Sequence, residues 1–181
     1  SAGSDYTVRF WNIKSGQCLQ ILKGHTTWVQ SVSFGTENHI LASGSQDNSI
    51  RLWDAHEGRC IDVLQSFVDW VEAIRLSPNG KMIAISSQTF PLQNYEVELW
   101  DIYGQDCTRL LRGHANPVLS IDFTDDGKLL ASGSSDHTVK IWDVDTGNCI
   151  RTLLGHSDVI NTLTFSSGNR ILATGSEDET V

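Results

Sequence analysis

The chain has 181 residues, 39% of them hydrophobic and 19% charged, with a formal net charge of −9 at neutral pH. A chain of this length can bury one sizeable core or a linear series of small ones. The acidic balance, with no Lys/Arg run longer than a pair, argues against a nucleic-acid partner, and no apolar run approaches the roughly 18–20 residues of a membrane span.

Ser, Thr, Gly, Val, Ile and Trp are plentiful, whereas Met occurs once, a composition that suits strands and turns. Residues 1–23 read as two strands. In 24–65, WVQSVSF (28–34) alternates and ends at GTEN. HILASGS (39–45), a QDN turn, SIRLWD (49–54), a turn at Glu57-Gly58 and RCIDVL (59–64) follow. Residues 66–112 repeat this order, with a longer stretch, SQTFPLQNY (87–95), ahead of EVELWD. Residues 113–154 repeat it with turns at Asp126-Gly127 and Thr146-Gly147, and 155–181 supply two more strands. Such X-Gly pairs provide the positive φ angles of tight hairpins. Trp11, Trp53, Trp100 and Trp142 lie 42, 47 and 42 residues apart. Cys18, Cys60, Cys107 and Cys149 keep the same intervals, as do Gly24, Ser66, Gly113 and Gly155. Three residue types sharing one irregular spacing mark four tandem copies of a unit, one of them lengthened by five. Four short antiparallel strands in about 42 residues make one blade of an all-β propeller.

Gly24-His25, ASGSQDNSIRLWD (42–54), Gly113-His114, ASGSSDHTVKIWD (131–143) and Gly155-His156 resemble the WD-repeat (WD40, Trp-Asp) family, over essentially the whole chain. The resemblance implies blades with strands a to d running outward from a central channel. It also implies His in the d–a loop, Trp-Asp closing strand c, and an interaction platform, not an enzyme. On this reading 1–181 is one domain. Residues 1–23 hold strands c and d of a first repeat, 24–65 the second, and 66–112 the third with an insertion at 87–95. Residues 113–154 form the fourth, and 155–181 strands a and b of a partial fifth.

His25, Ser43 and Asp47, like His114, Ser132 and Asp136, are sets of the type used in nucleophilic catalysis. Their recurrence argues against catalysis, since an active site has no reason to be copied in every repeat, and no G-x-S-x-G elbow is present. In the family these residues join the blade Trp, here Trp53 or Trp142, in a buried tetrad, and His156, Thr174 and Asp178 match the last copy. Indole N–H, hydroxyl, imidazole and carboxylate can satisfy one another in series. No catalytic residue, metal or cofactor is therefore expected. The four cysteines occupy equivalent places on outer strands, beyond the ~7 Å limit for bridging, and lack C-x-x-C spacing. They are expected to be reduced, partly buried thiols in a cytoplasmic, reducing compartment. His39, His56 and His137 fall at turns or strand edges and read as solvated.

The third copy departs most. Its Gly-His is Ser66-Phe67, so the imidazole is lost, and Phe67 is expected to fill the space with apolar packing. Ser86 and Trp100 read as retained. Ser86 to Trp100 is then four residues longer than Ser43 to Trp53, with the fifth extra residue in the a–b turn at SPNG (77–80). The insertion carries Phe90, Pro91, Leu92 and Tyr95, and Pro91 forbids a regular central strand. Family geometry puts b–c and d–a loops on one face. Trp28 and Trp70 stand there at equivalent positions, followed by Pro117 and Val159 in the next copies. Gln30, Glu72, Leu119 and Asn161, two residues on, share that surface. The candidate partner-binding set is Trp28, Gln30, Gln46, Trp70, Glu72, Phe90, Leu92, Tyr95 and Leu119, an aromatic patch of the kind that anchors interfaces. The alternative is that the two Trp cap strands a and that the loop folds onto its own blade.

Residues 1–8, SAGSDYTV, align with 174–181, TGSEDETV, at an offset of 173. Three arrangements fit: a piece of a larger propeller, two chains self-associating through open blade edges into an eight-bladed ring, or a closed four-bladed ring. No basic region and apolar core at the N-terminus mark the chain for export. The function expected is a non-catalytic scaffold or sensor binding a protein or peptide through the loop face. The alternative is a regulatory or targeting domain of an enzyme whose catalytic part lies outside this chain, and a hydrolase is the third reading.

Overall fold

The structure, a computed structural model, describes residues 1–35, 39–65, 70–88 and 95–181. Among these residues all regular structure is antiparallel sheet, and no helix is long and apolar enough to cross a membrane. The first sheet pairs β1 (Thr7–Trp11) with β2 (Cys18–Lys23). Blade two contains β3 (Val29–Phe34), β4 (Ile40–Ser45), β5 (Ser49–Asp54) and β6 (Cys60–Gln65). Blade three contains β7 (Trp70–Leu76), β8 (Met82–Gln88), β9 (Val97–Asp101) and β10 (Asp106–Leu111). Blade four contains β11 (Val118–Phe123), β12 (Leu129–Ser134), β13 (Val139–Asp143) and β14 (Cys149–Leu153), and β15 (Ile160–Phe165) pairs with β16 (Leu172–Ser176).

Local chemistry sets the hairpins. The Asp after each blade Trp caps the following turn: Asp54 Oδ1 accepts the His56 and Glu57 N–H groups, and Asp101 Oδ1 those of Tyr103 and Gly104. Gly58 and Gly147 occupy that turn at φ 64° and 74°, where Gln105 must adopt 54° in blade three. A register shift at each Trp places Cys60 opposite Trp53 and Cys149 opposite Trp142.

The core lies between blades, because each sheet can bury a face only against its neighbour. Val8 and Leu22 meet Val29, Leu41 and Trp53. Ile50, Leu52 and Leu64 pack on Val71, Ile74, Ile83 and Ile85, and Leu99 and Leu111 on Val118, Leu130 and Trp142. Burying each such side chain stabilises by about 1.5–3 kcal/mol. Close approach needs glycine at Gly44, where a Cβ would stand 2.5 Å from Val71 Cγ1. The inner strands are also laced together. Ser31 and Ser33 Oγ accept the Ile74 and Leu76 N–H groups at 3.1 and 2.9 Å, and Arg75 pairs with Asp122 at 2.8 Å.

Two expectations are corrected here. The sheets β1–β2 and β15–β16 are separate, so the ring is partial and not closed on itself as a four-bladed one. In blade three, β8 runs on to Gln88, two residues into the stretch 87–95 read as loop, with Gln88 opposite Trp70.

Candidate functional site

Backbone hydrogen bonds divide each blade into two ends. At one, the b–c turn is tied to the d–a loop: Gln46 N–H donates to Trp28 O (3.1 Å), Ser135 to Pro117 O (2.9 Å) and Glu177 to Val159 O (2.9 Å). At the other, the two remaining turns meet: Ala55 N–H donates to His39 O (2.8 Å), Ile102 to Lys81 O (2.9 Å) and Val144 to Lys128 O (2.9 Å). The first end is the loop face.

The tetrad residues are strung inward from that face. In blade four Trp142 Nε1 donates to Ser132 Oγ (2.8 Å), Ser132 meets His114 Nε2 (2.7 Å), and His114 Nδ1 meets Asp136 Oδ2 (2.8 Å). The corresponding distances for Trp53, Ser43, His25 and Asp47 are 2.8, 2.7 and 2.9 Å. His156 meets Thr174 at 2.7 Å and Asp178 at 2.8 Å. Asp136 also accepts the Ala115 N–H and the Thr138 hydroxyl, so one carboxylate pins the b–c turn to the d–a loop. Burial pushes His25 and His114 below their ordinary value, with the Asp partners opposing it. Burial would raise Asp136, but hydrogen bonds from Thr138, Ala115 and His114 prevail and hold it at about 2. Ser43 and Ser132 are fully buried with their hydroxyls already engaged, so a substrate could not reach them without opening the blade.

Blade three differs from the sequence reading in a way that changes its alignment. Strand pairing sets Ile85 opposite Ile74 and Glu98, as Ser43 lies opposite Val32 and Arg51. Ile85, not Ser86, therefore holds the tetrad serine's place, and Ser86 corresponds to Gly44. The a–b turn is not lengthened: Ser77 N–H donates to Met82 O over the same span as Thr124 to Leu129 O. All five extra residues lie between strands b and c. With Ile85 buried where a hydroxyl would be, the Trp100 indole donates instead to Glu98 Oε2 at 2.6 Å. Burial raises the Glu98 carboxyl, with the Trp100 bond opposing and Glu96 adding to the rise. The other copies carry Arg9, Arg51 and Lys140 at this position, a charge reversal readable in the sequence but missed. Ser86 Oγ accepts the Ala73 N–H at 3.1 Å.

On the loop face Trp28 is 51% and Trp70 44% exposed, and Gln30 is exposed. Gln46, Glu72, Tyr95 and Leu119 are half-buried, and burial raises the Glu72 carboxyl. Phe67, Phe90, Pro91 and Leu92 lie outside the described residues. All four cysteines are free. Cys18, Cys107 and Cys149 are exposed and only Cys60 is intermediate, so three are more open than expected. On the opposite face His39 and His56, read separately as solvated, have ring centroids 4.1 Å apart, a pairing their sequence distance did not suggest. Among the described residues no group of three or more His, Cys, Asp or Glu could hold a metal ion.

The family model "WD domain, G-beta repeat" matches residues 16–54, 105–143 and 147–181. A 47-residue segment is 38% identical to the Nuclear distribution protein PAC1-2 of Uncinocarpus reesii, covering 26% of this chain and 10% of that protein. A 43-residue segment is 40% identical to an uncharacterized WD repeat-containing protein of Schizosaccharomyces pombe, covering 24% of this chain and 12% of that one. A 47-residue segment is 40% identical to Mitochondrial division protein 1 of Pyricularia oryzae, covering 26% and 7%. The matched segments thus span about a tenth, or less, of the curated relatives.

Proposed function

The chain belongs to the WD40 repeat family, and from that premise we propose that it is a non-catalytic scaffold or sensor that takes a protein or peptide across its loop face. The observation that carries this reading is the pair Trp28 and Trp70, 51% and 44% exposed at equivalent positions of neighbouring blades. A buried indole contributes a large contact area with little conformational freedom to lose, which is why such residues anchor interfaces. Tyr95 and Leu119, both half-buried, extend the surface. The tetrads act as struts, holding b–c turns against d–a loops so that the face is preformed.

The test is a binding measurement with the full chain and a peptide selected on it. Trp28→Ala and Trp70→Ala should each weaken binding about tenfold or more, a loss of about 1.4 kcal/mol, with the thermal midpoint unchanged. A fall in midpoint in both variants, without any specific loss of binding, would mean that the indoles cap their strands and do not contact a partner.

A further inference from the structure

The loop face is electrostatically one-sided. Its described segments, 3–6, 24–30, 46–48, 70–72, 95–96, 112–119, 135–138, 155–161 and 177–180, hold nine Asp and Glu and one basic residue, Arg112. The turns of the opposite face carry Lys14, Arg59, Lys81, Lys128 and Arg170 among their acids. Two loop-face acids are paired from the rim, Asp5 with Arg9 at 2.6 Å and Glu96 with Arg112 at 2.8 Å. The tetrad carboxylates accept bonds from imidazoles that burial or position keeps in a hydrogen-bonding chain, and no Lys or Arg is paired with them in these bonds.

The exposed indoles lie within this field. The bonds from Ile74 to Ser31 and from Leu76 to Ser33 set the register of β7 against β3. Trp28 directly precedes β3 and Trp70 opens β7, so the two indoles stand at the loop-face ends of adjacent inner strands. Glu72, a half-buried carboxylate, stands two residues from the exposed Trp70, on the strand stacked against the one that the exposed Trp28 precedes. An indole face attracts a cation, and a neighbouring carboxylate strengthens the attraction. We propose that the occupant of this face is a cationic peptide segment, whose Lys or Arg head group stacks on Trp28 or Trp70 beside Glu72. This rests on the loop-face reading above and names the partner's chemistry.

Selection from an unbiased linear-peptide library on the full chain, followed by synthetic peptides in Lys/Arg and Glu versions, tests both levels separately. The expected result is enrichment of Lys and Arg, with affinity lost in Trp28→Ala or Trp70→Ala. It should fall about five- to tenfold in Glu72→Gln, and about tenfold or more between about 0.1 M and about 1 M salt. Peptides that need the indoles but are neutral or acidic, or that ignore salt and Glu72→Gln, overturn the cationic assignment and leave the loop-face reading standing. Peptides indifferent to both indoles overturn the two together.

Discussion

Blades three and four share a strand frame and bury a tryptophan at the same place, yet they satisfy its N–H differently. In blade four Trp142 begins a chain through Ser132 and His114 to Asp136, which ends by pinning the b–c turn to the d–a loop. In blade three Ile85 fills the hydroxyl's place and Trp100 turns to Glu98 on its own strand. The requirement of the fold is a satisfied indole donor, since a buried unpaired N–H is costly. The longer network adds a tether between loops. The blade in which Ile85 stands at the tetrad serine's place is the one whose b–c connection is five residues longer.

The difference between the blades is most exposed to mutation at Ile85. Ile85→Ser removes a fully buried side chain and strands a hydroxyl without an imidazole, and should cost about 2–5 kcal/mol in urea unfolding. Ser86→Ala should cost about 1 kcal/mol or less. If the two effects came out in the reverse order, the strand register of blade three would be wrong. In blade four, His114→Ala or Asp136→Ala should lower stability by about 1–3 kcal/mol through stranded partners. Variants with an unchanged unfolding midpoint would show that the tetrad carries no stability.

Acid should separate the blades by sign. His25 and His114 are held below their ordinary 6.5, so the folded tetrads bind fewer protons than the unfolded chain. Their contribution is full above pH 6.5 and is lost as pH falls through the lowered folded values. Asp136 continues the loss, its contribution complete above 3.8 and gone as pH falls through about 2. Glu98 acts oppositely. Its carboxyl is raised above 4.5, so its contribution is full below that pH and is lost as pH rises through the folded value. Thermal midpoints against pH should therefore flatten below 6.5 in His114→Ala. In Glu98→Gln, which keeps an acceptor for Trp100, the midpoint should rise modestly near neutral pH. A Glu98→Gln profile parallel to that of the parent chain at all pH values would remove Glu98 from this account.

Much of the architecture was legible because it rests on local rules. Alternation gave the strands, Asp and X-Gly pairs gave the turns, and a repeated Trp–Cys spacing gave the blades. The tetrad members of blades two and four could be placed through the resemblance of 42–54 and 131–143 to the WD-repeat pattern. Blade three misled because Ser86 and Ser87 follow Ile85, so a serine was available one residue from the true position. A corrective signal was present: SPNGKM (77–82) and TDDGKL (124–129) are equal in length, leaving no room for an extra residue in that turn.

The repeat, the all-β blades, the acidic balance and the recurrence of Ser, His and Asp could be read from the residues alone. These follow from composition and periodicity, which act over a few residues at a time. The folded chain alone shows that Ile85 stands opposite Glu98, that Trp100 donates to that carboxylate, that His39 meets His56, and that β3 and β7 lie side by side with an exposed indole at the head of each. Each of these depends on which residues the pairing of strands and the stacking of blades set side by side, and that register is fixed by packing across the sheet and between sheets, beyond the reach of any local pattern.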